Sequence, residues 1–404
     1  MSNPNNVSLN INHKLEFIDG NALTIPTLSI LTEDGEIHPG ATAPDISKHT
    51  AIKLYETMRF IRLLDERMQG AQRQGRISFY MQCLGEEAAV TASAAALDQN
   101  DMIMAQYREQ AALHYRGFTL DQFMNQMFSN ELDLGKGRQM PIHYGSKALN
   151  YMTISSPLGT QIPQATGYAY GQKIKHIDAK TGELASTIDN ITICYFGEGA
   201  ASEGDFHAGV NMAAVHQAPV IFFARNNGYA ISTPADEQFK GDGIASRGVG
   251  YGIKTIRVDG TDALAVYAAT KKAREIAVST GEPILIESIA YRLGAHSTSD
   301  DPSGYRSKDE EANHQVCPID KFRKWLIKQD WLNVADDVKA KESIREEILA
   351  ALKRAEVVAK PALEELISDV YDTPIPSLQR QYEQLKAHIK LHPDAYPVTA
   401  GRIK

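Results

Sequence analysis

The stretch ITICYFGEGAASEGDFHAGVNMAAVHQAPVIFFARNNGYAIST, residues 191–233, decides the fold. Ile191 to Phe196 is a short apolar run of β-branched and aromatic residues, the mark of a buried strand. It runs out into Gly197-Glu198-Gly199, where two glycines permit a tight turn and close approach of a ligand. A helix is expected from Ser202 to Gln217, capped by Ser202 with Asp205 at the third position and burying Phe206, Val210, Ala213 and Ala214. Pro219 to Ala224 then reads as a second buried strand. Strand, crossover helix and strand imply a parallel pair with a right-handed connection, so Glu198 and Asn227 should leave the same sheet edge side by side.

The rhythm continues downstream with a strand at Thr255 to Val258, a helix at Asp262 to Val278 and a strand at Pro283 to Ala290. Upstream, Ala51 to Leu97 carries a helical pattern, and Asp101 to Ala105 is an apolar strand that delivers Gln106-Tyr107-Arg108 at its end. These elements predict an α/β fold, a doubly wound parallel sheet with helices on both faces. Residues 1–50, rich in Asn, Pro, Thr and Gly, read as an extended arm lying on something else, with a short run at Leu15-Glu16-Phe17-Ile18. Residues 51–317 form the α/β domain and 318–404 a charged helical region. Within the latter, a capping box at Ser343 and Glu346 is expected to open a helix that shares Ile348, Leu349 and Leu352 on one face.

With 404 residues and 43% hydrophobic composition, the chain can bury a large core. A formal net charge of -8 argues against a nucleic-acid partner, which needs surplus Lys and Arg to displace counterions. Cys83, Cys194 and Cys317 have no CxxC spacing, so neither a disulfide framework nor a zinc site is indicated. Cys194, inside an apolar strand, is a small core residue. No stretch has the apolar length of a membrane span. The first 25 residues hold one Lys, no Arg and two acids, a poor leader composition, and the expected setting is cytoplasmic and bacterial-type.

One carboxylate from Glu198, one amide oxygen from Asn227 and a carbonyl from the Asn-Gly-Tyr turn make a sparse, all-oxygen set. Magnesium favours such sets and completes its octahedron with phosphate oxygens and water. The expected helix start at Ser202 adds N–H groups and a positive dipole end facing the same anion. The ligand inferred is a diphosphate carried on magnesium.

Gly197-Glu198-Gly199 followed by Asn226-Asn227 resembles the thiamine-diphosphate motif, and Tyr55 to Ser303 resembles the α subunits of 2-oxo acid dehydrogenases, most closely the branched-chain kind. The resemblance implies that Glu198, Asn227 and the Tyr229 carbonyl hold magnesium and that Gly199, Ala200 and Arg225 line the diphosphate. The acid is Glu198 where the motif most often has Asp, which sets the metal about one methylene further out. Gln106-Tyr107-Arg108 resembles the family's cofactor-contacting turn, with Arg108 offering a fork to phosphate. Ser155 to Gln161 resembles the loop that lines the pocket through Ser156 and Leu158. In branched-chain relatives that loop holds potassium through Ser155, Pro157, Thr160 and Gln161. Tyr291 to Asp301 resembles the loop covering the site, with Arg292 on the diphosphate and His296 handling a proton or the substrate carboxylate.

The activity so implied is oxidative decarboxylation of a branched-chain 2-oxo acid such as 2-oxoisovalerate, with acyl transfer to a lipoyl carrier. A side chain cannot delocalise the acyl carbanion left by decarboxylation, so a borrowed electron sink is required. The implied partners are a β subunit, in a heterotetramer of two α and two β chains, and a lipoyl acyltransferase. The β subunit brings the Glu that activates the cofactor, and the chain alone is expected to be inactive. In mitochondrial relatives the serine at Ser297 is phosphorylated, which would place negative charge beside an anionic cofactor.

Other readings stand beside these. A dinucleotide fingerprint would need an acid near the end of the second strand, where Ala224-Arg225-Asn226 stands instead. Arg108 could be a surface salt-bridge residue and His296 a loop residue. His114, His207 and His216 sit on helical patterns as structural or exposed groups, and Arg247 and Arg257 have no assignable role. A pyruvate or acetoin dehydrogenase is the alternative enzyme, and a non-catalytic diphosphate-binding regulatory protein the alternative of another class.

Overall fold

The computed structural model describes residues 12–314 and 316–396. Its strands are β1 (Thr27–Leu28), β2 (Met102–Met104), β3 (Thr192–Gly197), β4 (Val220–Asn226), β5 (Tyr229–Ala230), β6 (Thr233–Pro234), β7 (Lys254–Asp259) and β8 (Ile284–Ile289). Six of them form one sheet in the order β1-β7-β8-β4-β3-β2, and every pairing in it is parallel. β5 and β6 make a separate antiparallel pair. The strands expected from apolar runs are therefore present and joined as expected.

Strand periodicity sorts the core into two layers. Ile193, Tyr195, Ile221, Phe223, Ile284 and Ile286 point to one face, where they pack with helices Lys48–Arg73, Glu87–Ala95 and Ala263–Thr280. Cys194, Phe196, Val220, Phe222, Ala224 and Leu285 point to the other, against helices Gln161–Ile174 and Gly204–His216. Helices thus cover both faces, as the doubly wound reading requires. In the register of β3 and β4, Gly197 lies opposite Arg225, so the turns carrying Glu198 and Asn227 leave adjacent strands at one edge.

Four local expectations are corrected. The helical pattern from Ala51 to Leu97 is interrupted; a first helix ends at Arg73, and Gly75, at φ 70°, turns the chain away. Its second half, after a non-helical segment, begins at Glu87. The N-terminal arm lies partly on its own sheet. Thr27–Leu28 is an edge strand, and Asp262, which caps helix Ala263–Thr280, also accepts the N–H groups of Ile30 and Leu31, both at 2.6 Å. Leu15, Phe17 and Ile18, by contrast, are exposed; residues 1–11 lie outside the described residues.

The other two corrections concern caps. Ser343 lies inside helix Val334–Glu356, which Asn333 caps by accepting from the N–H groups of Ala335 and Asp336. Ile348 and Leu352 do share its buried face. Ser202 likewise caps nothing at a helix start: a short helix, Glu198–Ala201, begins directly after extended Gly197, and Ser202 closes it, its Oγ donating to the Glu198 carbonyl at 3.2 Å. The longer helix follows from Gly204. The C-terminal helices are fixed to the first helix by Asp337, which accepts from Tyr55 Oη at 2.9 Å, Arg59 Nη1 at 2.5 Å and Arg323 Nε at 2.9 Å. Among the described residues no helix is long and apolar enough to cross a membrane.

Candidate active site

A cavity of about 210 Å³ opens where β3 and β4 end. From β2 come Gln106, Tyr107 and Arg108; from the β3 and β4 turns come Glu198, Gly199, Ala200, Arg225, Asn227 and Tyr229. Leu158, Glu203, Ile231, Arg292 and His296 also line it. Wider clefts of about 480 Å³ beside His143 and about 450 Å³ beside Asp259 lie elsewhere, so residue chemistry rather than size singles this one out.

At its floor Glu198 is 2% exposed. Its Oε2 accepts the Asn227 N–H at 3.3 Å, which puts the two loop tips in direct contact. Burial, and after it the neighbouring Glu86 carboxylate, raise the Glu198 carboxyl above its ordinary range. Among the described residues no Lys, Arg or His forms an ion pair with it. The Arg225 guanidinium offsets only part of the burial penalty, and a divalent ion in contact with the carboxylate would offset more of it. No cluster of three or more His, Cys, Asp or Glu suited to a metal occurs among the described residues. One carboxylate with amide and carbonyl oxygens is a different donor set, and it fits magnesium.

The helix end expected at Ser202 is replaced by the start of Glu198–Ala201, four residues earlier. Close approach is required here: a Cβ on Gly199 would stand 2.8 Å from the Ala230 side chain. Residues Tyr229 and Ala230, which form β5, therefore press directly on the turn.

The three arginines are more heavily engaged than their sequence roles suggest. Arg225 donates from Nε to Glu109 and from Nη1 to Glu86, both at 2.5 Å, leaving Nη2 for an anion. Arg108 donates from Nη1 to the Gln82 carbonyl and from Nη2 to the His296 carbonyl at 2.5 Å. Arg292 reaches the carbonyls of Tyr229 at 3.2 Å and Ile231 at 2.7 Å, and the Tyr305 hydroxyl at 3.0 Å. In this arrangement Arg108 and Arg292 hold the covering loop and the β5 turn. A free bidentate fork to phosphate from either would require these bonds to open.

His296 faces Arg108 Nη2 through Nδ1 at 3.2 Å and meets the Tyr107 ring edge-on, with centroids 6.0 Å apart. Because guanidinium only donates, Nδ1 is the acceptor and the imidazole proton sits on Nε2. Burial first, then Arg108 and Arg292, lower the imidazole to about 3, so His296 is neutral near pH 7. Burial raises the Tyr107 phenol. Ser297, next on the loop, accepts the Ser299 N–H through Oγ at 3.2 Å.

The Ser155–Gln161 loop is split. Thr160 Oγ1 lies 3.3 Å from Ser155 Oγ and 3.0 Å from the Pro157 carbonyl, so three of the four expected potassium donors converge. Gln161 donates from Nε2 to the Tyr195 carbonyl at 3.1 Å, a bond that does not use its Oε1. Ser156 lies outside the cavity wall, its Oγ 3.0 Å from His143 Nε2.

Two buried acids were not anticipated. Glu109 accepts the N–H groups of Gln106 and Tyr107, both at 2.9 Å, besides its bond to Arg225. Glu86 accepts Asn227 Nδ2 at 2.9 Å. In the sequence each stands immediately before a helix, where acids commonly complement the dipole, and their real partner is more than 100 residues away. Of the groups left without a role, Arg257 proves structural, joining Glu287 and Asp242 under β1. His114 is stacked on Phe60 in the core.

A family model described as "Dehydrogenase E1 component" matches residues 55–364. The chain belongs to this dehydrogenase E1 component family. Membership implies use of thiamine diphosphate. This E1 component chain is 47% identical over 388 residues to the mitochondrial 2-oxoisovalerate dehydrogenase subunit alpha of Homo sapiens, an alignment that covers 95% of the chain and 85% of the relative. With the mitochondrial subunit alpha 1 of Arabidopsis thaliana it shares 47% over 387 residues, covering 95% of the chain and 80% of the relative. With the Dictyostelium discoideum mitochondrial subunit alpha it shares 49% over 377 residues, or 93% and 83% of the two chains. These relatives are mitochondrial by name, which overturns the cytoplasmic, bacterial-type setting expected from the first 25 residues. The composition of that stretch does not decide a compartment.

Proposed function

We propose that this E1 component chain is the α subunit of a branched-chain 2-oxo acid dehydrogenase, acting on substrates such as 2-oxoisovalerate. It works with a β subunit, as α2β2, and passes the acyl group to a lipoyl acyltransferase. The observation that carries the reading is the contact between Glu198 and Asn227 at the floor of a cavity whose upper wall holds His296. Glu198, Asn227 and the Tyr229 carbonyl are the proposed magnesium ligands. Gly199, Ala200 and Arg225 Nη2 face the diphosphate, and Ser155, Pro157, Thr160 and the Gln161 Oε1 are the proposed potassium donors. Bound thiamine diphosphate supplies the electron sink that no side chain offers.

The chain's own residues do the rest. Neutral His296 offers its Nε2–H as a hydrogen-bond donor to a substrate oxygen, without carrying a standing charge. Arg108 and Arg292 hold the covering loop and the β5 turn in place, which limits water at the reacting centre. Leu158 puts an apolar side chain on the wall, suited to a branched substrate.

Turnover of 2-oxoisovalerate and pyruvate by the chain assembled with its β partner tests this. An apolar wall that binds the two extra methyl groups should favour the branched substrate in kcat/KM by at least about tenfold. Equal or reversed ratios would assign the chain to pyruvate or acetoin chemistry.

A further inference from the structure

A carboxamide serves a cation only through its oxygen, and its two ends have nearly the same shape. Something must therefore fix which end of Asn227 faces the metal. Glu86 is 1% exposed and does not line the cavity. Its Oε2 is paired with Arg225 Nη1 at 2.5 Å, and its Oε1 takes Asn227 Nδ2 at 2.9 Å. A carboxylate held in an ion pair only accepts, so the amide nitrogen is forced toward it. The amide oxygen then points the other way, where the Tyr229 N–H meets it at 3.3 Å.

Glu86 is in turn located by a chain of charge-assisted bonds. Arg225 bridges it to Glu109, and Glu109 is pinned by the N–H groups of Gln106 and Tyr107. We infer that Glu86 is a positioning residue: it locks the Asn227 carboxamide with its oxygen toward the metal, and through Arg225 and Glu109 it ties that orientation to the turn after β2. It is an outer-shell partner of the kind that metal sites use to orient their ligands.

The inference rests on the cofactor reading above, and it can fail separately. The chain assembled with its β partner is titrated with Mn2+ in the presence of thiamine diphosphate, and free Mn2+ is read by electron paramagnetic resonance, which needs no turnover. Glu86→Gln keeps the shape but can donate as well as accept, so the Asn227 amide loses its fixed orientation; Mn2+ affinity should fall about 10–100-fold. Adding Asn227→Asp reverses the polarity of the pair. The amide introduced by Glu86→Gln can then donate to a carboxylate that keeps its other oxygen on the metal, and affinity should return to within about threefold of the unaltered protein, an interaction that a double-mutant cycle isolates. Glu86→Gln binding within about twofold of the unaltered protein overturns the inference, as does Asn227→Asp having the same effect in both backgrounds. If Glu86→Gln alone does not assemble, the comparison runs between Asn227→Asp and the double variant. The double variant must then bind Mn2+ more tightly, and equal or weaker binding overturns the inference. Failure of the unaltered protein to bind Mn2+ would instead overturn the cofactor reading.

Discussion

Glu198→Ala is expected to remove magnesium-dependent cofactor binding and to lower kcat/KM by more than the roughly 10–100-fold that follows loss of an outer-shell partner. Glu198 is the one carboxylate of the three proposed ligands, and without it the ion would meet only two neutral oxygens. The same substitution should stabilise the cofactor-free protein. Burial raises the folded-state carboxyl, so the folded chain binds its proton more tightly than the unfolded one, and stability from this group falls as pH rises from the ordinary carboxylate value through the raised folded one. Alanine abolishes that penalty at neutral pH. Chemical denaturation without metal, set beside calorimetric cofactor titration, measures both halves; cofactor affinity within threefold of the unaltered protein contradicts the first, and a lower denaturation midpoint the second. A residue that costs stability while enabling binding is the trade-off expected of a functional site.

Arg225→Leu has the largest expected effect on folding. Glu86 and Glu109 are 1% and 0% exposed, and both rely on this one guanidinium. Removing one member of a buried ion pair costs about 3–5 kcal/mol, because the partner charge is left without compensation, and here two carboxylates lose their cation together. Denaturant titration should show a loss of at least that size. Adding Glu86→Gln and Glu109→Gln should recover much of it, since the charges that made the loss so large are then gone. An unchanged midpoint for Arg225→Leu would show that the three charges are screened by water rather than buried as a unit.

The sheet was legible because its strands are buried on both faces and read as unbroken apolar runs. Ile191 to Phe196 and Pro219 to Ala224 could hardly be anything else at that length between turns. That parallel pairing alone places Glu198 beside Asn227, so the floor of the site followed from topology. Local caps were less legible. Ser202 and Ser343 carry the right side chains, but extended Gly197 allows a helix to start at once, and Asn333 had already opened the C-terminal helix ten residues before Ser343. Hidden altogether were Glu86 and Glu109, whose meaning lies in an ion pair with a residue on a distant strand. Arg108 and Arg292 do line the cavity, yet the carbonyls that engage them come from loops whose path the sequence does not specify.

Calorimetric titration of thiamine diphosphate into the chain assembled with its β partner, once with magnesium and once with a chelator, tests the joint clasp of Glu198 and Asn227 on a metal diphosphate most directly. Saturable binding in magnesium that disappears with the chelator is the expected result. Binding that is indifferent to the metal, or absent in both conditions, contradicts it.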